Sequence, residues 1–267
     1  MFSKIKYFRF YYSIFIGKML RFLYKRNFVN YFDEYKDSFE SKKGFEIGGP
    51  TKLFSTDMIP VYQIAEEVDG CNFNSKNIWN NTKNSSILFY DDIKGRQFYC
   101  EGSDLSEIDD ESYDFILSSH NIEHIANPIK ALKEWLRVLR YGGTLLLVVP
   151  NKKMNFDRKR DFTALEHLIS DFENGVDERD LTHLDEVLKK HDLSLDPDAE
   201  GDFDSFEKRC RNNYEIRGLH HHVFSQKLLL EVFDYLDIQI LFQYNIPHMH
   251  QVIVGRKKMP EVTGKLI

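Results

Sequence analysis

Residues 144–150, TLLLVVP, form an unbroken apolar run, the pattern of a strand covered on both faces inside a parallel sheet. Just before it, NPIKALKEWLRVLRYGG carries Ile129, Leu132, Leu136 and Leu139 at helical spacing. Asn127 is placed to cap that helix, Pro128 suits its first turn and Gly142-Gly143 end it. Further strands are expected at GFEIGG, at 61–69 (VYQIAEEVD, whose apolar pattern is ambiguous), at 95–102 and at 112–119. Residues 28–42 read as a polar amphipathic helix, and the chain closes with a helix over SQKLLLEVFDYL and two strands, DIQILFQY and HQVIVGRK. Alternating strand and helix signals predict an α/β, doubly wound, mostly parallel sheet.

Residues 151–224 break that rhythm. They hold eighteen acids and twelve Lys/Arg around short helical pieces such as FTALEHLISDF and LTHLDEVLKKH. Four parts are therefore expected: an N-terminal helix (1–27), a first sheet portion (28–150), a helical insertion (151–224) and a closing helix with two strands (225–267). The insertion follows the TLLLVVP strand at its carboxyl end. Ligands of open α/β sheets bind there, so the insertion is placed to cover one.

Charge adds an asymmetry. The chain carries a net charge of -6, but residues 1–26 contain seven Lys/Arg and no acid. The acidic remainder argues against a nucleic-acid partner. The N-terminal segment is too short and too charged to span a membrane and lacks a signal-peptide cleavage site. It reads either as a helix lying on an anionic membrane surface or as a terminal helix packed on the domain or in a dimer. Three cysteines, Cys71, Cys100 and Cys210, lie far apart with no CxxC spacing, which excludes a disulfide scaffold and fits a reducing, cytoplasmic setting.

Glu46-Ile47-Gly48-Gly49-Pro50 follows the first strand, with Asp69 about twenty residues on. Glycines there let a ligand approach the backbone, and an acid ending the second strand can accept ribose hydroxyls. A plain turn plus a surface acid is the alternative. The pattern is not GxGxxG, so a pyrophosphate-binding site is poorly supported.

The run from Glu101 to Pro150 is more specific. Asp110-Glu111-Ser112-Tyr113-Asp114, Ser118-Ser119, Ile122-Glu123-His124, the stretch Glu134 to Leu139, and Gly142-Gly143 together resemble the cofactor domain of class I S-adenosylmethionine-dependent methyltransferases. The resemblance implies a seven-stranded Rossmann-like sheet and S-adenosylmethionine as cofactor. It sets Glu46, Gly48, Gly49 and Pro50 against the methionine part and makes Asp69 the ribose acid. Glu101 or Asp104 with Leu105 would sit by the adenine, and Ser119 with His120 beneath the sulfonium. Pro50 and Thr51 stand where the family usually has its later glycines. The pattern from EIGGP through SSHNIEH, TALEHL, DLTHLDE and HHHVFS is similar to methyltransferases of bacterial surface-polysaccharide assembly, which implies a small glycan-precursor acceptor. A second reading keeps the fold as a non-catalytic scaffold within a membrane-associated assembly.

A hydroxyl acceptor benefits from a base, and the ten histidines are the candidates. His120 and His124 follow a strand's carboxyl end, and His220-His221-His222 close the insertion. His120, His124, His221 and His222 are the expected catalytic set, with structural hydrogen bonding the alternative for each. His167, His183 and His191 lie on the insertion's helical pieces, His167 and His220 being expected at the substrate. Lys153 and Arg158, in the basic run after Pro150, would favour an anionic acceptor. His120, His124 and the triple histidine could converge with Glu166 or Glu123 on a metal, but no ligand spacing demands one, and none is expected.

Overall fold

The computed structural model describes residues 31–56, 58–74, 86–89, 93–196, 202–246 and 249–260; the basic segment 1–26 lies outside them. Among the described residues, no helix is long and apolar enough to cross a membrane. Eight strands form one sheet: β1 (Lys43–Ile47), β2 (Glu67–Asn72), β3 (Ser86–Phe89), β4 (Ile93–Tyr99), β5 (Tyr113–Ser119), β6 (Leu139–Pro150), β7 (Ile238–Ile246) and β8 (His250–Lys257). Their order is β3-β4-β2-β1-β5-β6-β8-β7. The five strands from β4 to β6 run parallel, while β8 and β7 close one edge antiparallel. The expected seven strands are present, and the short antiparallel β3 extends the other edge.

The helices are α1 (Pro128–Val138), α2 (Leu165–Glu173), α3 (Leu184–Lys190), α4 (Phe203–Arg211), α5 (Asn213–Ile216) and α6 (Gln226–Tyr235). On β6, Leu145, Leu147 and Val149 join the core under α1 and α6, whereas Leu146 and Val148 face the opposite core with Phe32, Tyr35 and Phe39. That division is why this strand reads as uniformly apolar. Asn127 caps α1 as expected, its Oδ1 accepting from Lys130 N at 3.0 Å. Its amide also donates to the carbonyls of Asp171 and Val176, tying the end of α2 to the sheet.

Three elements depart from the sequence reading. Val61–Gln63 is a 3-10 turn and β2 starts only at Glu67, because Val61 and Tyr62 are buried beside Phe54 rather than along the sheet. The described part of 28–42 has helical residues 31–33 and a separate 3-10 turn at Lys36–Ser38. The α1 helix stops at Val138 and β6 starts at once, with the register against β5 shifting between Tyr113 and Phe115. Gly142 has φ +74, and a Cβ on Gly143 would lie 2.8 Å from the carbonyls of Asp114 and Arg140, so both glycines belong to this irregularity.

Glu134 and Arg137 of α1 fasten the loop after β4. Leu105 N donates to Glu134 Oε2 at 3.0 Å, and Arg137 donates to the carbonyls of Leu105 and Ile108. At the sheet's centre, β1 passes so close to β5 that a Cβ on Gly44 would sit 1.9 Å from the Phe115 ring. Gly44→Ala should therefore destabilise the protein by about 1–3 kcal/mol, seen as a lower urea midpoint at unchanged slope. An unaltered midpoint would show that the Phe115 ring moves aside freely.

Candidate functional site

The carboxyl ends of β1, β2, β4 and β5 meet around the Gly48 turn. Gly48 has φ +81, and a Cβ there would lie 2.4 Å from the Asn121 amide. A Cβ on Gly49 would lie 2.1 Å from the Glu46 carboxylate. At Gly48 both conformation and space call for glycine, and at Gly49 space alone. Asn72, at the end of β2, donates to Gly49 O at 2.6 Å, and Tyr62 donates to Glu46 Oε2. Three buried oxygens around this turn have no hydrogen-bond partner among the described residues: Glu46 Oε1, Ser118 Oγ and Asn121 Oδ1.

One strand over, the chain leaves β5 through a strained residue. His120 has φ 51, a left-handed conformation that a histidine seldom adopts and that clusters at functional sites. Its amide is fixed to Val148 O at 2.9 Å. Its Nε2 lies 2.7 Å from His250 Nδ1, at the head of β8, and its Nδ1 lies 4.0 Å from Glu123 Oε1. The side chain keeps 34% of its exposure. Burial and the neighbouring His220 hold its pKa down at about 4, so the ring is neutral at physiological pH.

The insertion's return closes over this group. His220 Nδ1 donates to Asp157 Oδ2 at 2.5 Å, its Nε2 lies 4.0 Å from Glu123 Oε1, and its ring meets that of His124 edge-on at 4.4 Å. Arg160 binds Asp157 at 3.0 Å and the carbonyls of His220 and His221. Arg217 joins the insertion to the β4 side by donating to Glu101.

These positions sort the expected site residues. Glu46, Gly48, Gly49, Pro50, Ser119 and His120 stand at the strand ends, and Glu101 is on the loop after β4. Leu105 is wholly buried in the core under α1, and Asp104 is exposed with its carboxylate on Ser106 N. Asp69 is a correction. Because β2 starts late, Asp69 sits mid-strand beside Phe45, in contact with the first residues of β1 and β5. It accepts from Arg96 N at 2.7 Å and Tyr113 Oη at 2.8 Å and pairs with Arg96 and Lys43. It is a structural ion, not a ribose acid; Asn72 ends β2 instead.

His221 and His222 are corrections too. Both are fully buried, His221 bonded to Asn213 and His222 to Ala126 O, so neither meets an acceptor. His167 joins His183 and Asp171, away from His120. Both Arg158 and Lys153 are exposed, but Arg158 is committed to Asp192 at 2.5 Å, whereas Lys153 has no ion pair among the described residues. The sequence marks Arg160 only as one cation of the basic run after Pro150, and marks neither Asp157 nor His250. Asp157 and Arg160 share an i, i+3 spacing that could have flagged them, whereas His250 carries no local signal.

Strand order, the glycine turn after β1 and the switch point between β1 and β5 match the Rossmann-like methyltransferase fold. Residues 48–147 match the family described as a methyltransferase domain. Over those residues the chain resembles an S-adenosylmethionine-dependent methyltransferase domain, and S-adenosylmethionine is the cofactor to test against the site. Similar solved structures include the Burkholderia thailandensis 1,6-didemethyltoxoflavin-N1-methyltransferase with S-adenosylhomocysteine bound (11% identity, 88% of this chain and 78% of that one, TM-score 0.48). Others are S-adenosylmethionine-dependent methyltransferases from Aquifex aeolicus (9%, 86% and 89%, 0.47) and Mesorhizobium loti (11%, 82% and 92%, 0.45). Identities this low speak to chain topology, not to substrate. No curated protein sequence matches the chain.

The residues present fit the methionine end of the cofactor. An ammonium group offers only donors, and Glu46 Oε1 and Asn121 Oδ1 are buried acceptors with no hydrogen-bond partner among the described residues. At the ribose side, Asn72 can accept or donate but brings no charge.

Two stability predictions follow from these assignments. Asp69→Asn should lower the melting temperature, on the scale of about 1–3 kcal/mol for a broken buried charged bond, while cofactor affinity stays within a few-fold. A large affinity loss without loss of stability would restore its ribose role. Burial pushes the Glu46 carboxyl up from 4.5 to about 7, against the bonds from Tyr62 and Thr51. Between those values the native state keeps a proton that the unfolded chain has released, so stability falls as pH rises through the window. Glu46→Gln should then stabilise the protein at pH 8 by up to roughly 3 kcal/mol and scarcely at pH 5. Equal melting shifts at both pH values would show that ionising Glu46 costs nothing.

Proposed function

We propose that the protein transfers a methyl group to a hydroxyl oxygen of a small glycan precursor, with His120 taking the acceptor's proton. The carrying observation is the placement of His120: a strained, neutral, part-exposed imidazole at the carboxyl end of β5, under the insertion. S-Adenosylmethionine, when bound, supplies a methyl group already activated by its sulfonium. The protein's own task is then alignment and proton removal. The neutral His120 ring has a lone pair to accept the proton, and His250 and Glu123 beside it fix its orientation. Glu46 and Asn121 would hold the methionine end from the other side of Gly48. The insertion, tied down through His220, Asp157 and Arg160, keeps water from the site.

The glycan acceptor rests on the resemblance of the EIGGP, SSHNIEH, TALEHL, DLTHLDE and HHHVFS pattern to methyltransferases of bacterial surface-polysaccharide assembly. Arg158, Lys159 and Arg160 are engaged by Asp192, Asp157 and Glu186, so an uncharged sugar hydroxyl suits the site better than an anionic group.

Incubation with S-adenosylmethionine and a panel of nucleotide sugars should release S-adenosylhomocysteine with one of them. His120→Ala should slow turnover on the order of 10²–10⁴-fold while cofactor affinity by isothermal titration stays within a few-fold. Because the ring loses its proton at about 4, wild-type kcat/KM should show no protonation limb of His120 above about pH 5. Turnover unaffected in His120→Ala would leave alignment alone to explain the rate.

A further inference from the structure

Outside the crevice, four side chains of the insertion point at one another. His167 and Asp171 share a face of α2 at i, i+4 spacing, His183 precedes α3, and His222 lies on the returning segment. One ligand atom of each lies within 4.8 Å of all the others. His167 Nε2 is 3.1 Å from His183 Nε2 and 3.4 Å from Asp171 Oδ2, and His222 Nε2 is 3.7 Å from the same oxygen. Two atoms here are buried with no hydrogen-bond partner, Asp171 Oδ2 and His222 Nδ1.

From this convergence we infer a binding site for a divalent transition metal of the zinc class, held by His167, Asp171, His183 and His222. Ligand atoms about 2.0–2.1 Å from a tetrahedral zinc are about 3.4 Å from one another, which is the middle of the observed spacing. Imidazole and carboxylate donors suit zinc, whereas calcium and magnesium take oxygen sets. Hydrogen bonding alone leaves the group poorly satisfied. His167 and His183 can share a single proton between their nitrogens, and Asp171 Oδ2 has no donor. A cation would satisfy the carboxylate and the lone pairs of His167 and His183; His222 donates to Ala126 O through Nε2, so its available lone pair is on the unpartnered Nδ1.

Four protein ligands and no open position make the site structural in type. Its value lies in what it joins. The insertion's own apolar cluster consists of Leu184, Val187, Phe206, Cys210 and Leu219, a small core for some seventy residues. A metal would pin α2, the start of α3 and the returning segment to one point. The ligands include His222, next to the His220-His221 pair that Arg160 holds over His120, so the site would also fix the roof of the crevice.

The test uses the full chain. After purification in chelator and return to metal-free buffer, titration with Co²⁺ should give about one equivalent per chain, with the strong visible bands of tetrahedral cobalt. Zn²⁺ should displace it and raise the melting temperature. His183→Ala and Asp171→Asn should each abolish the visible spectrum, and Glu166→Gln, an exposed acid on the same helix, should retain it. Circular dichroism identifies a variant that has not folded, and the wild-type titration is decisive without any variant. A wild type that binds no cobalt, or a six-coordinate spectrum insensitive to His183→Ala, would overturn the inference.

Discussion

A guanidinium that keeps 1% of its exposure survives burial only if its donors are met and its charge is answered. Arg160 meets that demand with Asp157, Glu186 and the carbonyls of His220 and His221. These partners come from three stretches of the insertion that are remote in sequence, so one side chain dictates how they assemble. Asp157, pulled down to about 2 by His220 and Arg160 in spite of burial, passes the constraint on to the His220 ring. From there it reaches Glu123, whose own carbonyl accepts from His221 N at 2.8 Å. The placement of the β5 loop, and with it His120, depends on that knot.

The sheet supplies the other half of the crevice by quite different means. Around Gly48 the requirement is steric: a side chain on Gly48 or Gly49 would strike Asn121 or Glu46. What remains is a tight turn edged with buried acceptors. Polar atoms left without partners are costly in an interior, so the three gathered at this one turn mark a place where something outside the chain can complete the bonding. Backbone strain at His120 gives the same indication one strand away.

The sheet was legible from the chain because its signals are local. TLLLVVP alternates between two cores, Asn127-Pro128 opens a helix, and Glu134 and Arg137 recur at helical spacing on a visible stripe. The second strand was misplaced because Val61 and Tyr62 are apolar for a different reason, packing on Phe54. That error carried Asp69 to the wrong end of the sheet. The histidines were readable as a group but not one by one. His120, His221 and His222 look equivalent in sequence, and only the fold leaves the first at the crevice and buries the other two. His250 reaches His120 across 130 residues, a pairing set by the antiparallel β6–β8 register alone.

Arg217 gives the insertion a second hold, on Glu101 in the loop that follows β4. Its backbone is left-handed at φ 57, and its guanidinium also stacks on Phe73, just past the end of β2. The cofactor side of the crevice and the insertion's return to His220 thus share one wall. Any coupling that two ligands exert through a common wall is reciprocal. Whatever factor a bound cofactor were to impose on acceptor affinity, the acceptor would return to the cofactor.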